Sequence, residues 1–443
     1  MLRRYALVGT GDRGQMYVRA MAEQFADRAR LVALADINPA RVASYQRLLE
    51  SLGAPAASAW DAREVTAMLA KERVDVLLVT TVDRTHAEYI VAALEAGCDV
   101  VTEKPMTVDV AGCEQILDAV ARTGRHVTVA FNYRYNPVHE RVRQLLADGV
   151  VGEIGSVHFE WLLDVRHGAD YFRRWHRDKQ NSGGLLVHKA THHFDLVNWW
   201  LDDLPARVYA SGQLFFYGEA GAKRGYDRGY RRAHGAAEAA DDPFALRLAD
   251  SPKLRQLYLE AEHVDGYHRD QNVFAPGITI EDDLAVLVHY RRGARMTYHL
   301  TAYSPWEGYR VMFNGSHGRL ELEVVENDYV RPGEPGRLPT GGTPPAAADA
   351  PPEQGRYRLS VHPFWRPPYQ VEVPGYTREG HGGADVRMAE VLFGAVSGPD
   401  PLGRSATERD GAASLLVGLA GNRSLETGAP VAVSDLLDLP EGA

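Results

Sequence analysis

One stretch near the N-terminus restricts the fold of this chain more than any other. Tyr5-Ala6-Leu7-Val8 is a short apolar run that reads as a buried strand, and it opens directly into Gly9-Thr10-Gly11-Asp12-Arg13-Gly14. The segment Gln15–Phe25 reads as a helix with Met16, Ala20, Met21 and Phe25 toward one side. In a G-x-G-x-x-G between strand and helix, the first glycine allows the tight turn. The second lets the backbone approach a pyrophosphate, and the third lets helix and strand pack closely. The helix start then offers free N–H groups and positive partial charge to the phosphates. Arg30–Ala35 is a second expected strand, ending at Asp36, the acidic residue that such a site needs about 20 residues on for the ribose hydroxyls. Asp36 favours NAD, because a carboxylate repels a 2′-phosphate; Arg41 keeps NADP open. Asn38, just before Pro39, is the better placed helix cap.

The alternation continues. Val65–Ala70 and His86–Ala96 read as helices, as does Thr107–Thr123 with Thr107 as candidate cap. Val74–Thr80, Asp99–Thr102 and His126–Phe131 read as strands. Strands alternating with helices imply a parallel, doubly wound α/β sheet, whose ligands lie at the carboxyl ends of the strands. The glycine turn, Asp36, Thr80-Thr81, Glu103-Lys104-Pro105 and Asn132 all fall at such ends.

Beyond residue 132 the pattern changes. Gly155–Val165 alternates in part, Asp195–Leu201 reads as helix, and Arg207–Tyr217, Glu281–Tyr290, Ala294–Tyr303, Tyr309–Asn314 and Gly318–Val325 read as strands joined by turns. Consecutive strands with few helices between them suggest a largely antiparallel sheet with one buried face. Val386–Ala395 and Thr407–Leu419 return to helix. The chain therefore divides into an α/β domain over 1–132 and an α+β domain over 133–443. Two insertions interrupt the second domain. Residues 218–275 are polar and mixed, with Lys253–Glu262 expected to be helical; they are too long for a plain loop and read as an elaboration near the site. Residues 332–355 are rich in Pro, Gly and Ala and read as a surface excursion.

Gly183-Gly184-Leu185-Leu186-Val187-His188-Lys189-Ala190-Thr191-His192-His193-Phe194-Asp195 concentrates polar chemistry between a glycine pair and an apolar run. On one helix, His188, His192 and Asp195 share a face. That spacing suits a metal, a general base beside a second polar group, or histidines satisfied inside a core. Gly380-His381-Gly382-Gly383-Ala384-Asp385 is a second polar cluster, with His381 a candidate for the substrate site and Asp385 a candidate cap. Trp306 could stack on a sugar or simply pack in the core.

Bulk properties exclude some classes. A net charge of −10 on 443 residues argues against nucleic acid as the main partner. Two cysteines, Cys98 and Cys113, are too few for a disulfide framework. Arg3-Arg4 is not followed by an apolar signal region, and no stretch approaches the roughly 18 apolar residues of a membrane span. A cytoplasmic protein is expected.

The glycine turn, Asp36, Glu103-Lys104-Pro105 and Gly183-Gly184 through His192 and Asp195 together resemble the Gfo/Idh/MocA family, the relatives of glucose–fructose oxidoreductase and inositol dehydrogenase. The resemblance implies an N-terminal Rossmann domain followed by a C-terminal domain with a large, mostly antiparallel open sheet, whose open face often makes oligomer contacts, so a dimer or tetramer is expected. It implies hydride exchange between NAD, or NADP, and a secondary alcohol of a sugar, cyclitol or glycoside. By similarity the cofactor is held by Gly9, Thr10, Gly11, Asp12, Arg13, Gly14, Asp36, Thr80, Thr81, His86, Glu103, Lys104 and Asn132, with Trp175 and Arg177 leaning on it. Lys104, Arg134, His188, Lys189, His192 and His381 are assigned to the substrate. Lys104 and His192 carry the chemistry, His192 as the acid/base, with His188 as a third catalytic candidate. One departure stands out: the family usually carries Asp-x-x-x-His where this chain has His188-Lys189-Ala190-Thr191-His192. Two basic groups in place of an acid should lower the His192 pKa and favour an anionic or differently hydroxylated substrate. An NAD-dependent glycosidase that oxidises a sugar hydroxyl transiently is the alternative. A metal enzyme built on His188, His192 and His381 ranks below both, and no metal is assigned.

Overall fold

The first strand, β1 (Arg3–Val8), lies inside a parallel sheet, and its last four residues are buried. This explains its unbroken apolar run, since a strand covered on both faces has no polar side. In the computed structural model the described residues are 2–327, 329–330, 356–376, 382–394 and 398–440. The expected excursion at 332–355 and His381 lie outside them.

After β1 come β2 (Ala29–Asp36), β3 (Ser58–Asp61), β4 (Val76–Val79), β5 (Asp99–Thr102) and β6 (Val127–Val129). They pair in the parallel order β6-β5-β4-β1-β2-β3, and a short strand from far down the chain, Ala406–Thr407, adds antiparallel to β6. The chain winds outward from β1 to β3, then returns to place β4 on the other side of β1. That reversal opens a crevice at the carboxyl ends of β1 and β4, where doubly wound sheets bind ligands. β3 was not expected; its four residues are half-buried or exposed and form no apolar run.

Two helix readings in the first domain need correction. The helix expected over Gln15–Phe25 is an α-helix over Gly14–Arg19 that widens into a π-turn over Ala20–Gln24. The helix expected from Thr107 starts at Val110, because Asp109 is the cap: its Oδ1 accepts from the Gly112 N–H at 2.7 Å. An extended Asp109 carries its carboxylate over the free N–H groups of the first turn. Asn38 does cap the helix Pro39–Ser51, accepting from the Ala40 N–H.

The second sheet has nine strands. β7 (Ile154–Asp164), β8 (Pro205–Gln213), β9 (Asp283–Tyr290), β10 (Arg295–Ser304), β11 (Glu307–Gly315), β12 (Gly318–Asn327), β13 (Arg356–Pro363) and β14 (Tyr369–Gln370) pair in the order β14-β13-β12-β11-β7-β10-β9-β8, closed by Val431–Ala432. Every pairing is antiparallel except β7 with β10. Along β10, Met296, Tyr298, Leu300 and Ala302 are buried while their neighbours are less so, the period of a sheet with one covered face. The cover is helix Thr191–Leu201, whose His193 ring stacks on Trp161 at 4.0 Å, and helix Glu408–Thr427, whose Ser424 hydroxyl accepts from the Ala210 N–H. The first of these helices carries His192, so the sheet's buried face sets the depth of that side chain.

Candidate active site

A single cavity of about 760 Å³ runs from the glycine turn and Asp36, past Thr80, Thr81 and His86, to Lys104, Lys189 and His192. At its first end, Gly9 has φ +93, and a Cβ there would lie 2.6 Å from the Thr80 carbonyl carbon. Only glycine therefore lets β1 and β4 approach each other this closely. Asp36 accepts from the Thr10 N–H at 2.7 Å, the Thr10 hydroxyl at 2.9 Å and the Asn38 N–H at 2.9 Å. These bonds hold the carboxylate at the cavity wall. Gly9, Gly11, Asp12 and Arg13 line the cavity beside it, while Thr10 and Gly14 serve by packing and bonding behind it. The glycine turn, the fixed carboxylate and the cavity volume of about 760 Å³ fit a dinucleotide.

At the other end, Glu103 and Lys104 leave the sheet at the end of β5. Glu103 accepts from Arg13 Nε at 2.6 Å and from the Tyr17 hydroxyl at 2.7 Å. Burial alone would raise its carboxyl, but Arg13 and Lys104 outweigh burial and hold it below the usual range. Arg13 also reaches Asp385 at 3.1 Å, and Asp385 accepts from Asn132 Nδ2 at 2.8 Å. Asp385 is thus a tie between segments; the residue at the cap position of its helix is Gly383. Burial pushes Lys104 down to about 8; Glu103 opposes that shift and Lys189 adds to it. Its Nζ donates to the His188 carbonyl at 3.4 Å. His86 Nδ1 lies 2.8 Å from the Pro105 carbonyl and so braces the turn that carries Lys104.

The stretch 183–195 is not one helix. Leu185–His188 forms one turn, Lys189-Ala190 breaks it, and the longer helix begins at Thr191. His188, Lys189 and His192 still reach the cavity, but Asp195 does not share their face. Asp195 is buried in a two-point ion pair with Arg134, at 2.6 and 2.8 Å. Arg134 also meets Asp410 at 3.0 Å and Gly403 O at 3.0 Å. Arg134 lies outside the cavity lining, where a substrate contact was expected, with its guanidinium turned to two carboxylates and a backbone carbonyl. His193 is the core histidine of the set, with Nδ1 2.6 Å from the Tyr298 hydroxyl. His192 stacks on Tyr133 at 4.6 Å, which fixes its ring plane at the cavity wall. His188 Nδ1 lies 2.5 Å from Asp83 Oδ2. Burial, then Lys104 and Arg174, drive His188 well below the ordinary imidazole range.

The turn Trp175–Arg177 sorts its residues differently from the expectation. Arg174, Trp175 and His176 line the cavity. Arg177 turns away and donates to the carbonyls of Ala275 and Pro276 at 3.1 and 3.0 Å. On so tight a turn adjacent side chains diverge, and sequence alone does not say which faces inward. Trp306 also lies outside the cavity lining, where the Arg310 guanidinium covers its ring.

The insertion at 218–275 closes the cavity from above. Where one helix over Lys253–Glu262 was expected, the chain forms the short turn Pro252–Leu254, the π-turn Arg255–Leu259 and the turn Glu262–Asp265. Tyr258 accepts from the Asp12 N–H at 3.1 Å, and Lys253 pairs with Asp12 at 2.5 Å. Asn38 donates to Ala261 O at 2.9 Å, and Arg41 bridges Asp265 at 2.7 Å and Asp36 at 3.8 Å. Tyr258, Asp265, Tyr267 and Arg269 consequently line the cavity opposite the glycine turn. No motif marks them. Asp83, by contrast, lies four residues past the end of β4, where strand-end logic could have found it.

A doubly wound parallel sheet, a glycine turn answered by a carboxylate on the next strand, and a lysine and histidines at the far end of one cavity define a dinucleotide-binding enzyme with a second, antiparallel domain. Residues 3–131 match the model for the oxidoreductase family with the NAD-binding Rossmann fold, and residues 143–433 match that of the same family's C-terminal alpha/beta domain. The chain belongs to this family, Gfo/Idh/MocA. It is 33% identical over 436 residues to YteT of Bacillus subtilis (strain 168), spanning 96% of both chains. It is 29% identical over 227 residues to inositol 2-dehydrogenase of Rhizobium meliloti (strain 1021), spanning 51% of this chain and 63% of that one. The WlbA dehydrogenase from Bordetella pertussis, solved with NADH and UDP-GlcNAcA, shares the fold with a TM-score of 0.63 at 19% identity, over 99% of this chain and 100% of that chain. Among the described residues, no helix is long and apolar enough to cross a membrane.

Proposed function

We propose that this oxidoreductase oxidises a secondary hydroxyl of a sugar, cyclitol or related glycoside with NAD. The observation that carries the reading is the continuity of one cavity from Asp36 and the glycine turn to Lys104 and His192. Bound NAD would supply the hydride acceptor. The remaining work falls to the chain's own side chains. Gly9, Gly11 and the start of helix Gly14–Arg19 receive the pyrophosphate, and Asp36 the ribose hydroxyls. Lys104 polarises the reacting oxygen. His192 takes the hydroxyl proton, its ring held by Tyr133. Lys189, buried beside Tyr133 and over the Trp161 ring at 4.9 Å, adds a second basic group to the substrate end. The relatives named as inositol 2-dehydrogenases support the polyol class. Asp36 supports NAD over NADP, because a carboxylate repels a 2′-phosphate, and the cation of Arg41 beside it is engaged by Asp265 and Asp36.

The test is a panel of sugars, cyclitols and sugar acids incubated with the full chain and NAD, with NADH absorbance as the readout. Growth of that absorbance with at least one polyol, and its loss in Lys104→Ala, supports the assignment. Silence across the panel from protein that binds NAD would sink it.

A further inference from the structure

We propose that Asp83, His176 and His188 form a binding site for one divalent transition-metal ion on the wall of the cavity. The three residues arrive from separate segments: the turn Asp83–Thr85 after β4, the turn Trp175–Arg177 and the turn Leu185–His188. Their exposures are 3%, 2% and 7%. One ligand atom from each lies within 4.8 Å of the others. The Nδ1 of His176 is buried without a hydrogen-bond partner, an unfavourable state unless something else answers it. Two imidazoles and one carboxylate favour zinc, cobalt, manganese or iron over magnesium and calcium, which prefer all-oxygen sets. All three side chains also face the cavity, so further coordination positions open toward whatever enters it.

Charge works partly against the site. Lys104 and Arg174 both act on Asp83, so an incoming dication must compete with them. Arg174 is itself answered by Asp170 at 3.2 Å, and Lys104 by Glu103. A hydrogen-bonded Asp83–His188 pair that only orients the imidazole would explain one of the three contacts, and it leaves His176 unaccounted for. A metal here would lie beside Lys104 and polarise the substrate oxygen as a Lewis acid. That last role rests on the dehydrogenase reading; ion binding itself does not.

The experiment is a titration of the tag-free full chain, stripped with chelator, without NAD or sugar. Cobalt is followed by its visible d–d absorption and zinc by calorimetry. The expected result is saturation at one equivalent with a low-micromolar dissociation constant, and displacement of the cobalt band by zinc. His176→Ala and Asp83→Ala should each weaken binding at least about tenfold while circular dichroism shows an unchanged fold. His176→Gln serves if the alanine variant fails to fold. No saturable binding, or binding of equal strength in the variants, overturns the site. Failure of the sugar panel leaves this titration untouched, so the two ideas fail separately.

Discussion

The floor and the roof of the cavity are built by opposite rules. The floor comes from strand ends of one parallel sheet: Asp36 ends a buried strand and Gly9, Thr80 and Lys104 follow one, so backbone hydrogen bonding places them. The roof comes from short turns in the insertion: side-chain contacts tie Tyr258 to the Asp12 N–H and Asp265 to Arg41, while Arg269 pairs with Asp170 on the helix Val165–Arg173. A floor of this kind tolerates loss of a side chain without moving. A roof held by individual contacts should loosen with each one removed. The two regions therefore ought to respond differently to substitution.

The largest effect is expected on the floor. Lys104→Met should lower kcat by about a thousandfold or more, within the reach of one polarising or acid–base group, with little change in NAD affinity by fluorescence titration. The same variant should be more stable as the apo protein. Lys104 is depressed from 10.5 to about 8, so between those values the unfolded chain binds more protons than the folded one. Wild-type stability should therefore rise with pH across that window, and the full cost of the buried charge applies below it. Removing the charge should add up to about 3 kcal/mol at neutral pH, less where the side chain still meets solvent, and flatten the pH dependence in denaturant melts. An Arg134→Met variant should instead cost about 3–5 kcal/mol by stranding Asp195, and thereby show that Arg134 acts in the frame and not on substrate.

Asp36→Ala comes next. Losing charged acceptors for Thr10 and for the ribose should weaken NAD binding by about 10–100-fold and narrow the preference over NADP. On the roof, Tyr258→Phe removes one hydrogen bond to the Asp12 N–H and should raise the NAD dissociation constant by about 2–10-fold, with a smaller effect on kcat. Lys253→Met is the smallest: an ion pair with 43% of the lysine side chain exposed should contribute within about 1 kcal/mol, and salt should erase the difference. Equal effects from Tyr258 and Asp36 would mean that roof and floor are not distinct.

The same contrast explains what could be read before the structure. Strand ends were legible because a buried parallel strand writes itself as an apolar run, and the residue after it is where ligands meet the sheet. The second sheet was legible through alternation, but β14 and the other two-residue strands were not, because two residues carry no period; β13 does alternate, at Tyr357, Leu359 and Val361, and was passed over. His188 and His192 were found; the break between them was not, since Lys189-Ala190 bears no breaker residue. Arg177 was preferred to His176 through the family resemblance, and a three-residue turn has no periodicity to say which side chain points inward. Tyr258, Tyr267 and Arg269 were invisible because their placement depends on where the insertion lands.

The most direct test of the central claim is NADH absorbance from the full chain with NAD and a panel of polyols and sugar acids, run beside Lys104→Met. Hydride transfer through this cavity predicts NADH formation with at least one substrate, and none above background in the variant despite retained NAD binding. NADH formation that survives in Lys104→Met would contradict it.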